Sequence, residues 1–580
     1  MSSSTESKDS SPLFEKNIKP AGEIWVWFTA LGLGVGLFMI LYLLAVITWN
    51  GLNFFWPKNI ALIELAEEGT TSFRGQNTVA GVPLIRQGIP LDSLGEDRAI
   101  LIDLARENPD YLRELQVYTA NRDVFGQENF VFVNLGEIRS TTFPEEFMVL
   151  ERMEWGDAIV IPTELRLGDG TVIRAGDEAF TETFRAKVDE VRERRRTINR
   201  IERNQMGRIN LQINRENLEI RYLRSLREPT PAQEQELANR LARVENFETE
   251  LQPLMDRSAE LRALQNQHSL AFTLIDGTER VQPLGDIVNF YSPNAMSLTR
   301  KVGWFFFKVW EFLSEHPREA NTQGGIFPAL FGTFVMTILM SFAVTPFGVL
   351  AAVYLREYAK QGPLVSSVRI SINNLAGVPS IVFGVFGLGF FIHEVGSMID
   401  MIFYPRMAAI GSPVFGTGGI LWASLTLALM TVPVVIVATE EALAAVPRGV
   451  REGSLACGAS KWQTIQRLVL PAASPGILTG LILAMARGAG EVAPLLLVGV
   501  MALAPSLPID GLFPFVHLDR KFMHLGFHIY IVALQSPDTE ATKPLVFAST
   551  LVLILLVIVL NLGAILIRNH LRKKFLASTF

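Results

Sequence analysis

Long apolar runs separated by polar stretches dominate the pattern of this sequence. A transmembrane helix needs about 20 predominantly apolar residues to cross a bilayer. The first run, residues 24–49, is longer than the ~7–15-residue apolar core of a signal peptide, so it predicts a retained transmembrane helix. The sequence therefore predicts an α-helical membrane protein with six transmembrane helices, at residues 24–49, 327–355, 370–392, 418–438, 476–500 and 545–567.

Basic residues are concentrated in the short loops on one side of the six predicted helices. By the positive-inside rule, loops rich in Lys and Arg face the cytoplasm. We therefore expect an inner-membrane protein with both termini in the cytoplasm (a disordered tail at 1–23 and a second tail at 569–580) and the stretch 50–325 in the periplasm. The basic residues that decide this orientation are Arg356, Lys360, Arg369, Arg448, Arg451, Lys461, Arg467, Arg568, Arg572, Lys573 and Lys574.

The periplasmic stretch 50–325 is predicted to form a large insert between helices 1 and 2. Short alternating runs and turn signals between 57 and 180 predict an α/β part, which strand-like residues 270–290 complete. A dense aromatic stretch at about 301–313 predicts a helix lying on the membrane surface, in contact with lipid. A buried element of the insert is the alternative for that stretch.

A helical hairpin is predicted within the insert over about 181–267. Apolar residues recur at spacings of three and four on both sides of a Pro-Thr-Pro turn. The first arm is basic, so it either attracts an anion or an acidic partner, or it is a solvated face paired with Glu residues of the second arm. The arginines of this basic arm are Arg192, Arg194, Arg195, Arg196, Arg200, Arg203 and Arg208.

Composition and charge narrow the class of protein further. The chain has 580 residues, of which 49% are hydrophobic and 19% are charged, a combination that fits membrane spans alternating with a large water-exposed part. The net charge of −6 gives no indication of nucleic-acid binding. No G-x-x-x-x-G-K-[ST] phosphate-binding loop occurs in the sequence. We therefore predict that the chain is not an enzyme and that any ATPase is a separate protein.

The loop between the fourth and fifth predicted helices, about 440–471, carries the most specific pattern. It reads as a helix, a break at Gly458 and a short amphipathic helix, which Pro471 ends or redirects into the fifth predicted helix. A short, stiff and partly apolar element of this kind is suited to dock into a groove on another protein. A static turn between two spans is the alternative.

This loop resembles the one that defines the permeases of binding-protein-dependent ABC importers, whose pattern is E-A-A-x3-G-x9-I-x-L-P. The resemblance implies the six-helix, MetI-like permease fold, and it implies that the helix after the Gly is a coupling helix seated in a cleft of the ATPase. The two alanines of the pattern are Gly453 and Ser454 here. The residues that match in register are Glu452, Gly458, Leu468 (in place of Ile), Leu470 and Pro471.

The transmembrane part, 326–568, resembles the PstA phosphate permeases more closely. The stretches that carry this likeness are 324–329, 345–358, 374–380 and 486–496. The resemblance implies import of inorganic phosphate by alternating access, without a cofactor. It also implies three partners: a second homologous permease of the PstC type, a PstB-type ATPase dimer and a periplasmic phosphate-binding protein. It does not account for the insert.

Arg487 and Glu491, in the fifth predicted helix, are the main candidates for a substrate path. A charge at the centre of a bilayer costs at least ~2.5–3.5 kcal/mol, so such residues are usually functional. A spacing of four places the two side chains on one helical face, where they can pair. A guanidinium facing a water-filled path would hold phosphate through two parallel hydrogen bonds. A permanent ion pair that fixes helix packing is the alternative.

Pro379 and Ser380 are the second candidates for the path. The sequence Gly377-Val-Pro-Ser breaks the third predicted helix, and freed backbone groups at that depth are tolerated only against protein or a water-filled cavity. A simple packing kink is the alternative. His524 and His528 are four residues apart, but the sequence offers no third ligand, and no metal site is predicted.

Two other functions compete with phosphate import. Permeases for other oxyanions, such as sulfate or molybdate, would carry the same loop and similar charges. A secondary anion transporter would explain Arg487 and Glu491 but not the loop pattern from Glu452 to Pro471.

Overall fold

The computed structural model describes residues 24–66, 73, 76–89, 102–103, 105–106, 108–126, 129–511 and 513–576. Of the two predicted tails, residues 1–23 lie outside the described residues, whereas 569–576 continue the last helix. Six described helices are long and apolar enough to cross a membrane, as predicted. We number them span 1 to span 6: Val26–Asn53, Phe327–Tyr358, Ser380–Phe403, Ile420–Ala444, Lys461–Gly490 and Thr539–Lys573.

Span 3 begins later than the predicted range of 370–392. The helix Pro363–Leu375 ends before it, and residues 376–379 form a turn that separates the two helices. Pro379 has no backbone N–H to donate, and its ring disfavours a helical conformation for the residue before it. The apolar run was correctly found, but it contains the end of one helix, the turn and the start of the next.

Span 5 begins and ends earlier than the predicted range of 476–500. It starts at Lys461 and passes through Pro471, so of the two predicted alternatives the short helix continues into the span and does not end at this proline. The segment Ile465–Val469 just before Pro471 is a π-helical turn. This wider turn accommodates a proline, which lacks the N–H needed for the regular i→i−4 hydrogen bond of an α-helix. The short amphipathic helix predicted after Gly458 is therefore the first part of span 5.

Close contacts at glycines hold spans 2, 4 and 5 together. Small residues let transmembrane helices approach closely enough for backbone packing. A Cβ added at any of these positions would overlap a neighbouring helix. It would lie 2.6 Å from Val435 Cγ1 at Gly348, 2.5 Å from Ala442 Cβ at Gly476, 2.4 Å from Ala438 Cβ at Gly480 and 2.3 Å from Met340 Sδ at Gly488.

The strands of the insert are β1 Ala61–Leu65, β2 Thr78–Gly88, β3 Arg113–Tyr118, β4 Phe130–Asn134, β5 Ile138–Thr142, β6 Met148–Arg152, β7 Asp157–Arg166, β8 Val172–Arg174, β9 Ser269–Thr273, β10 Glu279–Pro283 and β11 Ile287–Tyr291, followed by a ribbon of β12 Pro317–Arg318 and β13 Gln323–Gly324. They form two antiparallel sheets, with strand orders β4-β3-β2-β1-β5 and β10-β9-β7-β6-β11, where β8 also pairs with β7. The predicted combination of strands and helices is confirmed, and the strands after the hairpin complete the second sheet.

The predicted hairpin is present and lies between β8 and β9 in the chain. Its first arm comprises Phe180–Asn199, the π-helical Arg200–Met206 and Gly207–Ser225, and its second arm is Pro231–Gln265. The second arm starts with a capping box, in which Thr230 and Gln233 satisfy each other's backbone N–H groups. Shorter helices elsewhere are Arg122–Phe125, Pro405–Ala409, Arg448–Ala456, Leu495–Val498 and Leu525–Leu534.

The helix Leu298–Ser314 joins the insert to the spans. Its buried side carries Lys308, whose ammonium binds the carboxylates of Glu151, at 2.8 Å, and Glu311. Burial alone would lower the pKa of Lys308, but these two carboxylates raise it. The opposite side exposes Leu298, Val302, Phe306 and Trp310, at spacings of four. One face is thus a buried element of the insert, and contact of the other face with lipid stays a prediction.

Asp157, the first residue of β7, lines a cavity of about 260 Å³ at this junction. Burial, together with the negative charge of Glu151, raises the pKa of the Asp157 carboxyl to about 7 from its ordinary value of 3.8. The folded state therefore favours the protonated carboxyl. The stability that depends on this proton is lost as pH rises from the unfolded pKa through the folded pKa.

Asp157→Asn, which is uncharged at every pH, should therefore raise the unfolding temperature more at pH 8 than at pH 4.5. Thermal unfolding of the purified protein in detergent at the two pH values measures this difference. Glu164→Asn, which removes a carboxylate from the exposed end of the same strand, is the control and should show no comparable gain at pH 8. An equal shift for Asp157→Asn at both pH values would contradict the assignment.

Candidate transport path and coupling loop

Span 5 ends as a helix at Gly490, beside the predicted path residues Arg487 and Glu491. Arg487 lies in the last turn, whereas Glu491 has extended backbone angles of φ −81° and ψ 129°. The prediction that both residues share one helical face midway along the span is therefore wrong, because the helix stops between them. The two side chains still approach each other, with Arg487 Nε 3.8 Å from Glu491 Oε1.

This helix end lies about half-way along span 2. Gly488 contacts Met340, which is near the middle of span 2, so the adjacent Arg487 lies at the same level. After the break, the short helix Leu495–Val498 leads to Gly499, whose φ of 145° suits glycine. In secondary transporters, helices that end near the middle of the membrane form the substrate and ion sites.

Pro379 and Ser380 form the second break, at the start of span 3. Pro379 is exposed and has extended backbone angles, and Ser380 is half-buried. One turn later, Gly384 lies against the backbone of Pro494, where an added Cβ would be 2.7 Å from Pro494 Cα. Pro494 follows Glu491 by three residues. The structure therefore brings the predicted break before span 3 close to the break at the end of span 5, which was not predicted.

Two buried histidines, whose sequence spacing indicates only possible metal ligands, lie beside the broken end of span 5. His524 and His528 are nearly inaccessible to solvent. A Cβ on Gly526 would lie 2.6 Å from Val492 Cγ2 and 3.2 Å from His524 Cε1. Three of the four ring nitrogens have no hydrogen-bond partner within the described ranges. Nothing local in the sequence indicates this location, because about 30 residues separate Val492 from these histidines.

The loop between spans 4 and 5 is built around the short helix Arg448–Ala456, which buries none of its residues. Gly458 follows with a φ of +84°, and its N–H donates to Leu455 O at 3.0 Å. This left-handed cap ends the helix, as predicted. Glu452 lies exposed on the helix.

The other predicted coupling residues lie in span 5 and not in a separate element. Leu468 is exposed, and Leu470 and Pro471 are half-buried. The free-standing helix is therefore the one before Gly458, and the helix after it is part of a span. The difference follows from the π-helical turn that carries the helix through Pro471.

Arg451 fixes the loop helix to the ends of two spans. Its guanidinium pairs with Glu357 at the end of span 2, at 3.0 Å. It also donates to the carbonyl oxygens of Leu443, at 2.7 Å, and Val446, at 2.6 Å, near the end of span 4. A cation at the carbonyl end of a helix is favourable because the helix dipole is negative there. Motion of the loop helix is therefore tied to motion of spans 2 and 4.

The loop and the start of span 5 also expose a group of large apolar side chains. Exposed apolar groups that lie close together on a surface usually mark a contact with another molecule. Because the loop helix buries no residue within this chain, its apolar positions are free for a partner. The exposed side chains are Val450, Leu455, Trp462 and Leu468.

Comparisons with known proteins match the half of the chain that carries these features. The family described as "Binding-protein-dependent transport system inner membrane component" matches residues 344–576. The probable ABC transporter permease protein YqgI of Bacillus subtilis is 31% identical over 276 residues, which cover 46% of this chain and 86% of that protein. The phosphate transport system permease protein PstA 1 of Mycobacterium tuberculosis is 30% identical over 332 residues, 56% of this chain and 94% of that protein.

A solved structure of the MetNI methionine ABC transporter aligns with 42% of this chain and 94% of its own chain, at 18% identity and a TM-score of 0.32. An alignment this loose adds nothing to the family assignment, which depends on the sequence relatives.

These relatives settle the class of the chain. It is a multi-pass inner-membrane transport subunit and not an enzyme, and ATP hydrolysis is carried by a separate ATPase. Importer permeases of this kind work with that ATPase and with a periplasmic binding protein. The whole insert, residues 50–325, precedes the region matched by the family, which begins at residue 344. The chain belongs to the family of binding-protein-dependent transport system inner membrane components, and within it to the PstA-type ABC permeases.

Proposed function

We propose that this chain imports inorganic phosphate by alternating access, driven by ATP hydrolysis in its partner ATPase. The observation that carries the proposal is Arg487 at the broken end of span 5. Its side chain is 37% exposed although it lies half-way along the bundle, so it faces open space and not packed protein. The PstA names of several relatives support phosphate as the cargo.

The geometry of Arg487 suits a phosphate that binds and leaves. Its Nε is 3.8 Å from Glu491 Oε1, which is longer than a hydrogen bond. Glu491 therefore offsets the positive charge without using up the donors of the guanidinium. An arriving phosphate takes those donors in a bidentate arrangement. The unpartnered nitrogens of His524 and His528 beside the break are further hydrogen-bonding groups for an oxyanion.

Pro379 and Ser380 contribute to the same path. The turn before span 3 leaves backbone groups without helical partners, and such groups are tolerated at depth beside a water-filled path. Its contact with Pro494, through Gly384, couples span 3 to the segment that follows Glu491. A shift of either break therefore changes the width of the path at the level of Arg487.

The sidedness of the protein follows from its basic residues. Arg356 lies at the end of span 2, and Lys360 and Arg369 lie between spans 2 and 3, on the same side as the loop helix. By the positive-inside rule this side is cytoplasmic, both termini are cytoplasmic and the insert is periplasmic. The loop helix is thus placed to meet a cytoplasmic ATPase.

We assign ATPase coupling to the helix Arg448–Ala456 and the turn after it. Glu452 and Gly458 belong to the docking element itself, and Leu468 adds an exposed apolar side chain. Leu470 and Pro471 lie inside span 5 and transmit movement. The partners are a PstB-type ATPase dimer, a second, PstC-type permease and a periplasmic phosphate-binding protein.

Arg487→Gln should lower phosphate uptake about 10- to 100-fold, because a hydrogen bond to a charged group contributes ~1.5–3 kcal/mol. Arg487→Lys, which keeps the charge but loses the bidentate geometry, should retain part of the activity. Radiolabelled phosphate uptake, in cells that lack the native chain and express each variant, measures both effects.

Arg572→Gln, at the exposed end of span 6, is the matched control and should transport normally. Normal uptake by Arg487→Gln would exclude Arg487 from the path. If deletion of the chain abolishes uptake of another oxyanion and leaves phosphate uptake unchanged, the cargo assignment is wrong.

Leu455→Glu should abolish co-purification of the ATPase, because it places a charge in the apolar part of the proposed docking surface. Leu455 is 48% exposed, so the change should not disturb the fold of this chain. Val281→Glu, at a 52% exposed position of β10 in the insert, is the control and should leave the complex intact. An intact complex with Leu455→Glu would count against this loop as the docking site.

A further inference from the structure

The basic arm of the hairpin divides into paired and unpaired arginines. Arg192 binds Asp189 at 2.8 Å, and Arg194 binds Glu190 at 2.5 Å. Arg195 donates to the carbonyl oxygens of Gly285, in the turn before β11, and Ile287, the first residue of β11. These three arginines are therefore structural, and they fasten the arm to itself and to the sheet.

The predicted pairing, in which arginines of the first arm bind glutamates of the second arm, occurs mainly in the opposite sense. Arg240 and Arg262, both on the second arm, bind glutamates of the first arm, at Glu216, Glu219 and Glu202. Arginines of the first arm are therefore left without partners. Eight of them are exposed and have no carboxylate oxygen within 4.0 Å in the part of the chain that the structure describes: Arg185, Arg196, Arg200, Arg203, Arg208, Arg215, Arg221 and Arg224. We call four of these, which follow one another along the arm at spacings of seven, five and seven residues, the arginine row: Arg196, Arg203, Arg208 and Arg215.

The start of the row lies beside the base of span 2. Burial, with the added charge of Arg203, lowers the pKa of His316 to about 4. Arg196 likewise acts electrostatically on the neighbouring Glu315. The ring of His316 is 6.2 Å from the ring of Phe327, the first residue of span 2. Arg196 and Arg203 are therefore close to the end of span 2 from which the insert leaves.

The far end of the hairpin returns to the permease half between spans 3 and 4. Arg406, in the helix Pro405–Ala409, binds Glu219 of the first arm at 3.0 Å and Glu236 of the second arm at 2.9 Å. Its guanidinium also lies 5.4 Å from the centre of the Tyr222 ring. The hairpin thus contacts the permease half at both of its ends.

The rest of the row points toward the same side as this second contact. Arg208 and Arg215 precede Glu219 by eleven and four residues, so at 3.6 residues per turn both lie within about 40° of it around the helix. Arg221 and Arg224 lie on other faces of the same helix, about 140° or more from Glu219. Arg208 and Arg215 therefore lie on the side of the arm that contacts the permease half, whereas Arg221 and Arg224 carry unpaired charge on other faces.

The length of the row decides between a small anion and a protein as its ligand. Arg196 and Arg215 are about 28 Å apart along the helix, at 1.5 Å per residue. Successive members are about 8–10 Å apart, too far for one phosphate to bind several at once. An interface of standard size buries about 800 Å² on each partner, which is the area of a square patch with edges of roughly 28 Å. The row therefore fits an extended acidic protein surface.

We propose that the arginine row is a docking surface for an acidic face of the periplasmic substrate-binding protein. The inference depends on the proposed function, which requires such a protein on the side of the insert. The row borders the space over the ends of spans 2, 3 and 4, where a loaded binding protein must deliver its cargo. Complementary charge of this kind mainly accelerates association, and salt weakens it.

The test compares two double variants with the same change in net charge. Arg208→Gln/Arg215→Gln removes half of the row, and Arg221→Gln/Arg224→Gln removes two exposed arginines from other faces of the same helix. Association of the phosphate-loaded binding protein from the same cells is measured on the complete transporter in nanodiscs. We expect the row variant to associate about 10-fold more slowly at low salt, with the difference disappearing near 0.5 M salt, and the control variant to match wild type.

Equal association rates for the two double variants would overturn the proposal. It would also be overturned if the row variant loses binding of free phosphate, observed by phosphorus NMR, while its association with the protein is unchanged. Wild-type transporter that binds only a sulfate-loaded protein would contradict phosphate as cargo. In that case the same two variants, tested with that protein, still decide the role of the row.

Discussion

Close contacts at glycines set the distances between the spans, and both helix breaks of the proposed path depend on those distances. Gly488 brings the end of span 5 against span 2, and Gly384 brings the start of span 3 against the segment after the break. A broken helix is stable at membrane depth only where protein or a water-filled cavity surrounds the freed backbone groups. A larger side chain at Gly384 would overlap the backbone of Pro494, and one at Gly488 would have to displace the side chain of Met340. The proposed path therefore depends on these close contacts.

Span 5 connects the proposed substrate path to the proposed coupling loop. It runs without interruption from Lys461, next to the loop helix, to Gly490, three residues after Arg487. A helix of 30 residues is about 45 Å long. Arg451 ties the loop helix to spans 2 and 4 at the same end. A displacement imposed on the loop therefore reaches the level of Arg487 through a continuous helix, while the neighbouring spans move with the loop.

The sequence predicts the parts of this molecule that depend on local pattern. Spans 1, 2, 4 and 6 were located well because each is one uninterrupted apolar helix, and the hairpin was located by its spacing. The predicted bounds of spans 3 and 5 were displaced, because hydropathy does not reveal a turn inside an apolar run or a helix that begins with polar residues. Arg487 was identified as an unusual charge, but the helix end beside it was not. The contact of Arg406 with Glu219 joins residues 187 positions apart, and no local pattern indicates it.

The most direct test of phosphate import is the rate of ATP hydrolysis by the purified complete transporter in nanodiscs. The rate is compared in the presence of the phosphate-loaded binding protein, the same protein without cargo, and a sulfate-loaded binding protein. The account predicts that only the phosphate-loaded protein stimulates hydrolysis severalfold, because cargo delivery and the loop helix act on the same span. Equal rates in all three conditions, or stimulation by the sulfate-loaded protein alone, would contradict it.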